Sequence, residues 1–384
     1  MAVLTSDWVA GAARTIGEHV ERELEALVAV SSPSGDIAGA EEAVAVASAL
    51  LPAQARIERP PCSSADHAPD LCATLAGNGE GRVVLLGHLD TVVGHGEHRA
   101  LVRDGDRLVG SGAIDMKGGV AIALGVVREL AELPQAYSEI ALLLVNDEEW
   151  RTDGFVHGLR FAGWDACLCF EAGEEGPRGE SAVVLRRKAA GTLRVLAHGR
   201  AAHSGAAPER GRSALMPLAD AAARVAAMNA PDGPDRLSAV PTVIRCGEAF
   251  NVVPAAGELV CDLRADRLDA FDAVLAAIPA ETDDGVTVET DLVRQWPGMD
   301  TREIAAPLLE RTAELLGRPL LGAERGGASD ASHLAGHVPL TVDGLGPIGG
   351  GAHAPEEYVA RRSLGPRAEL ALAMVAAVLE GDGG

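Results

Sequence analysis

Apolar residues recur at helical spacing from residue 8 to residue 30, with Val9, Ala12, Ile16, Val20, Leu24 and Leu27 on one face. Ser32-Pro33-Ser34-Gly35 stops the pattern, so a first amphipathic helix is predicted to end before it. Four later segments read differently. Residues 83–87, 140–145, 166–170 and 339–342 are short apolar runs bounded by turn residues, as expected of strands buried on both faces. Helical patterns at 120–133 and 304–316 alternate with them, which predicts an α/β fold: a mixed, mostly parallel sheet flanked by helices.

The stretch from about 182 to 293 breaks this alternation. A strand-like segment at 191–197 is followed by a helix at 213–228, strands at 241–245 and 257–264, a helix at 268–278 and a closing strand. The order βαββα plus a last strand predicts an inserted ferredoxin-like α+β domain. The expected organisation is a catalytic domain over residues 1–182, the insertion over 183–293, and the rest of the catalytic domain over 294–384. A chain of 384 residues is also too long for one ordinary core.

Composition narrows the partners. A formal charge of −23 excludes nucleic acid and an anionic membrane surface, both of which need a basic face. No apolar run reaches the length of a membrane span and the first residues lack a signal-peptide pattern, so a cytoplasmic protein acting on a small molecule is expected. The six cysteines, at 62, 72, 167, 169, 246 and 261, form no CxxC pair and are read as free thiols.

Chemistry enters at the strand ends. The first apolar run leads into His88-Leu89-Asp90, the second into Asp147-Glu148-Glu149, the third into Glu171, and His353 is expected to follow the fourth in the same way. In an open parallel sheet the ligand crevice lies beyond the carboxyl ends of the strands, so such residues converge. Singly each has a plain structural reading: His88 as a core histidine, Asp115 as the cap of a helix from Gly118, Glu148 and Glu149 as a solvated loop. Together they would bury like charges with nothing to neutralise them, and cations resolve that repulsion. Two histidines and three carboxylates, His88, Asp115, Glu149, Glu171 and His353, suit divalent ions, zinc first and manganese or cobalt as alternatives. Two ions fit five ligands only if one carboxylate bridges. A pair about 3.5–4 Å apart can acidify a water and polarise a carbonyl, which is the machinery of amide hydrolysis.

His88-Leu89-Asp90-Thr91, Gly110-Ser111-Gly112-Ala113-Ile114-Asp115-Met116-Lys117-Gly118-Gly119, Asp147-Glu148-Glu149 and Ala202-His203-Ser204-Gly205-Ala206-Ala207-Pro208-Glu209 resemble the M20 family of metallopeptidases and amidohydrolases, in particular its glutamate carboxypeptidases (carboxypeptidase G type). The resemblance spans nearly the whole chain. It implies a Zn-peptidase-like catalytic domain and an inserted lid and dimerisation domain that forms a homodimer. It also implies that His88 and Glu171 hold one metal, Glu149 and His353 the other, and Asp115 bridges them, followed by a cis peptide to Met116. Glu148 is then the general base, and Asp90 accepts the N–H of the His88 ring and fixes its tautomer. His203 would reach the active site of the partner subunit and steady the developing oxyanion. Asn251 and Arg264, with Gly326, Gly327 and Ser329 of the Gly-rich segment, would contact the carbonyl or the free carboxylate of the substrate.

Two departures from the family pattern stand out: Trp150-Arg151-Thr152-Asp153-Gly154 after Glu149, and Gly349-Gly350-Gly351 before His353. Trp150 and Arg151 follow Glu149 where relatives place small residues, and are expected to narrow or recharge the pocket. His95, Glu97 and His98 are loop neighbours without a scaffold and are not taken as a third metal site. The expected function is two-metal hydrolysis of a C-terminal amide bond, releasing an amino acid such as glutamate from an acyl or short peptidyl group. Alternatives are an N-acyl-amino-acid deacylase or dipeptidase of the same family, and a catalytically silent relative that binds a carboxylate ligand, against which the intact ligand set and base argue.

Overall fold

Three of the four apolar runs form the centre of a six-stranded sheet in the computed structural model, which describes residues 4–380. The strand order is Arg56–Glu58, Leu71–Ala76, Glu139–Val145, Arg82–His88, Ala166–Cys169, Thr341–Val342. The last four run parallel and the first two are antiparallel additions at one edge. Leu85 pairs with both Leu142 and Leu168, and almost every residue of the three central strands is buried, as their unbroken apolar runs require. The fourth run yields only the two residues Thr341–Val342, because Asp343 turns away to exchange both backbone hydrogen bonds with Val184.

Helices Ser6–Val28, Gly118–Ala131 and Leu364–Leu379 pack against one another over this sheet. The first buries the predicted face, Val9, Ala12, Ile16, Val20, Leu24 and Leu27, and is capped by Thr5, whose hydroxyl accepts from Trp8 N. Gly118–Ala131 comes so close to the strand beneath it that a Cβ at Gly119 would lie 1.8 Å from the Phe170 carbonyl oxygen, so only glycine fits. All six cysteines are free. Among the described residues no helix is long and apolar enough to cross a membrane.

The chain divides into two compact units. The larger holds the residues up to Arg186, Asp300–Arg325 and those from Ser329 onward; the smaller holds Arg187–Met299 with Gly326–Ala328. The boundaries expected at 182 and 293 fall inside strands Ser181–Arg187 and Thr287–Trp296, and the units divide a few residues later, before Arg187 and after Met299. The smaller unit is an antiparallel sheet ordered Ser238–Cys246, Ala256–Ala265, Ala189–His198, Thr287–Trp296, with helix Leu215–Ala227 packed on it, the ferredoxin-like arrangement. The helix expected at 268–278 is instead a short 3₁₀ turn, Leu268–Phe271, and a brief α-helix, Asp272–Ala276. Pro279 disfavours helical geometry just before it, and three buried anchors, Phe271, Val274 and Ile278, suffice to seat the segment.

Candidate metal centre

The parallel strands bring His88, Glu149 and Glu171 to one place within the larger unit, and the loop before helix Gly118–Ala131 adds Asp115. His88 Nε2 lies 3.1 Å from Asp115 Oδ1 and 3.7 Å from Glu171 Oε1. His353 Nε2 lies 3.1 Å from Asp115 Oδ2 and 3.2 Å from Glu149 Oε2. The two oxygens of one aspartate therefore face two different imidazoles, each flanked by one further carboxylate. His88, Asp115 and Glu149 each offer a ligand atom within 4.8 Å of the others, so the group can hold a metal ion. His95, Glu97 and His98 make no such group among the described residues; His95 bonds the Ser31 hydroxyl and faces Asp36.

His353 arrives by a route other than the one its sequence position suggested. It does not follow the fourth main-sheet strand but stands between Gly349–Gly350 and Tyr358–Ala360, strands of a separate small sheet with Arg107–Val109 and Val102–Asp104. Its backbone is left-handed, φ +64°, a conformation that costs a non-glycine residue about 1–3 kcal/mol and is concentrated at functional sites.

The peptide between Asp115 and Met116 is cis, and Gly112 turns the preceding loop at φ +71°. That loop is held by a residue sequence reasoning missed. The Glu357 carboxylate, 2% exposed, accepts the backbone N–H groups of Gly112 (2.8 Å), Ile114 (2.8 Å) and Asp115 (3.0 Å). No residue pattern marks it: Glu357 is the second of two adjacent acids that follow His353.

Asp90 does more than orient an imidazole. His88 Nδ1 donates to the Asp90 carbonyl oxygen at 3.0 Å and lies 3.3 Å from its Oδ1. The two carboxylate oxygens also accept the backbone N–H of Glu148 (3.2 Å) and of Glu149 (3.1 Å), so Asp90 pins the Asp147-Glu148-Glu149 turn to the histidine strand. That turn is buried, not solvated: Glu148 and Glu149 are each 8% exposed. Arg151 does not recharge the pocket. It is wholly buried, bonded to Asp147 and Asp330, while its neighbour Trp150 is largely exposed.

The charges are mutually strained without a cation. Burial pushes the Glu148 carboxyl well above the usual carboxylate range and raises Glu149 as well. Burial also opposes ionisation of Asp115, but hydrogen bonds to His353 and His88 hold it below its ordinary value. Bonds to Asp115 and Glu149 lift the His353 imidazole to about 10. For His88, burial is outweighed by Asp115 and Asp90, and the ring is raised well above normal. Among the described residues Glu149 Oε1 is buried without a hydrogen-bond partner. An orphaned carboxylate oxygen, surplus acid and two imidazoles that must otherwise stay protonated are what a bound divalent cation would relieve.

Of the remaining expected site residues, His203, Asn251, Arg264, Gly326 and Gly327 belong to the smaller unit and Ser329 to the larger. His203 pairs with Val252 in a two-residue ladder, and Ser204 N–H donates to the Asn251 carbonyl, so His203 and Asn251 are neighbours, both exposed. His203 Nδ1 accepts from Gly205 and Ala206 N–H. Arg264 is half-buried on the central strand Ala256–Ala265 and forks onto Asp262. Gly327 offers its carbonyl to Arg187. Ser329, fully buried in the larger unit, caps helix Asp330–Ala335 by accepting from Ala331 N.

Residues 84–377 match peptidase family M20/M25/M40. Carboxypeptidase G2 of Pseudomonas sp. (strain RS-16) is 28% identical over 361 residues, covering 88% of this chain and 84% of its own. A succinyl-diaminopimelate desuccinylase of Rhodospirillum rubrum is 30% identical over 319 residues, covering 74% and 79%. Among solved structures, aminopeptidase PepT from Bacillus cereus superposes with a TM-score of 0.75 at 22% identity over 94% of this chain and 98% of that one, a likeness of fold. The matched span includes all four strand-end segments and the intact His, Asp and Glu group, and on that ground the chain belongs to peptidase family M20/M25/M40 and is a metallohydrolase of peptide or other amide bonds.

Proposed function

We propose that this enzyme hydrolyses a C-terminal amide bond and releases an amino acid, glutamate or a similar residue, from an acyl or short peptidyl group, using two divalent ions, zinc first. The observation that carries the reading is the pair of Asp115 oxygens, each 3.1 Å from a different imidazole. His88 and Glu171 would hold one ion, Glu149 and His353 the other, with Asp115 shared. When bound, such a pair polarises the scissile carbonyl and acidifies the attacking water. Glu148, buried and raised in pKa, takes the proton of that water as its oxygen attacks the carbonyl carbon. It then delivers the proton to the nitrogen as the C–N bond breaks. Arg264, with the Gly-rich segment Gly326, Gly327 and Ser329, would clamp the free carboxylate, for which a guanidinium fork is suited.

His203 and Asn251 would act on the carbonyl oxygen from a second copy of the chain. The sheet register supports this. Ala256 pairs with His198 at the end of the sheet that leads to Asn251 and His203, whereas Arg264 pairs with Ala190 at the opposite end. Eight residues of extended strand separate Ala256 from Arg264, about 26 Å. That separation along the strand favours supplying His203 and Asn251 from one copy and Arg264 from another, as a homodimer through the inserted domain would.

The desuccinylase relatives favour a second reading, deacylation of an N-acyl amino acid. Both are tested by one panel: dipeptides and N-acyl amino acids, each with a free and an amidated C-terminal carboxyl. Preference for the free acid by about 100-fold or more supports the carboxylate clamp. Equal hydrolysis of the amidated forms would overturn it, and the leaving amino acid of the best substrate separates the two readings.

A further inference from the structure

Arg151, in the segment after Glu149 that departs from the family pattern, is the buried member of a mostly exposed stretch and latches the turn that carries the proposed base. The turn closes when Arg151 N–H donates to the Asp147 carbonyl at 2.9 Å. The Arg151 side chain, 0% exposed, then spends its fork on two acids. Nε bonds Asp147 Oδ1 at 3.1 Å, and the two terminal nitrogens bond Asp330 Oδ1 and Oδ2 at 2.7 and 2.8 Å. The other Asp147 oxygen accepts Ser64 N–H at 2.8 Å. The guanidinium lies 5.0 Å from the Phe155 ring, which in turn stacks on His333. Glu148 and Glu149 sit between the two ends of this turn, with their N–H groups fixed from the other side by Asp90.

A buried ion pair adds little net stability, because the cost of removing both charges from water offsets their attraction. Its fork geometry, by contrast, fixes position. We propose that Arg151 is a positioning residue: its pairing with Asp330 sets where the Glu148 carboxyl stands over the metal centre. The inference rests on the reading of Glu148 as base. Lysine at 151 keeps the charge but cannot span Asp147 and both Asp330 oxygens. A misplacement of about 1 Å in a reacting group can cost about 100-fold in rate.

The test compares the metal-loaded wild type with Glu148→Ala, Arg151→Lys, Asp330→Asn and the Arg151→Lys/Asp330→Asn double variant, reading kcat, KM, metal content and Tm. Glu148→Ala should keep its metal and lose turnover; if it turns over normally, the base assignment fails and the inference with it. Arg151→Lys and Asp330→Asn should each lower kcat about 10–100-fold, with metal content unchanged and KM within about threefold. The double variant should be no worse than either single one, because both changes break one clamp. Three outcomes would overturn the proposal while leaving the base intact: folded variants with near-normal kcat, additive losses, or losses that track metal content. If neither single variant folds, the fork is structural and the positioning role is also refuted.

Discussion

Replacing Glu357 by alanine removes the acceptor of three backbone N–H groups, those of Gly112, Ile114 and Asp115, at 2.8, 2.8 and 3.0 Å. The carboxylate is 2% exposed, so solvent screening gives little relief. Each buried donor left unpaired costs about 1–3 kcal/mol, and water entering the vacated space recovers part of that, so a loss of about 3–5 kcal/mol is expected. Glutamine keeps the volume and one acceptor oxygen but turns an NH₂ group toward a backbone donor, so about 2–3 kcal/mol is expected. The assay is urea unfolding of the metal-free protein, since bound metal would mask the difference by mass action. Tryptophan fluorescence suits it because Trp8, Trp150 and Trp164 lie in the larger unit and Trp296 in the smaller. The midpoint of the larger unit should fall by about 1–2 M at unchanged m, with that of the smaller unit little moved. Metal affinity should fall in parallel, because the same three N–H groups set the backbone of Asp115. An alanine variant that unfolds within about 0.5 kcal/mol of wild type and binds metal normally would refute the reasoning.

Asp90→Asn should weaken metal binding by about 10–100-fold, since the amide keeps one acceptor oxygen for the two turn N–H groups and faces the other with its NH₂; chelator competition measures this, and wild-type affinity would count against it. Mixing equal amounts of Glu148→Ala and His203→Ala subunits should restore about a quarter of the wild-type sites, because half of the random dimers carry one complete site. No recovery would remove His203 from the partner's site.

The main sheet and its flanking helices were legible because residues buried on both faces must be apolar throughout, as residues 83–87 and 140–145 are. The address of His88, Glu149 and Glu171 followed from the strands that carry them. His353 was placed on the wrong element, since the two-residue strand Thr341–Val342 gives little pattern and a glycine-rich hairpin gives none. Arg151 was misread for a different reason: a sequence shows a charge but not which way it points, and its partner Asp330 is 179 residues away. Asp90 and Glu357 share that limit. Their work is to accept backbone N–H groups, and every residue but proline has one, so no side-chain pattern announces it.

The most direct test of the central claim is divalent-metal content per chain, measured on the same samples as amino acid release from N-acyl amino acids and dipeptides. The expected result is two ions per chain, turnover that disappears with chelation and returns with zinc or manganese, and a half-loaded species with reduced activity. A protein that holds no metal and stays inactive after zinc or manganese is added, or one that hydrolyses amides undiminished after its metal is removed, would contradict the account.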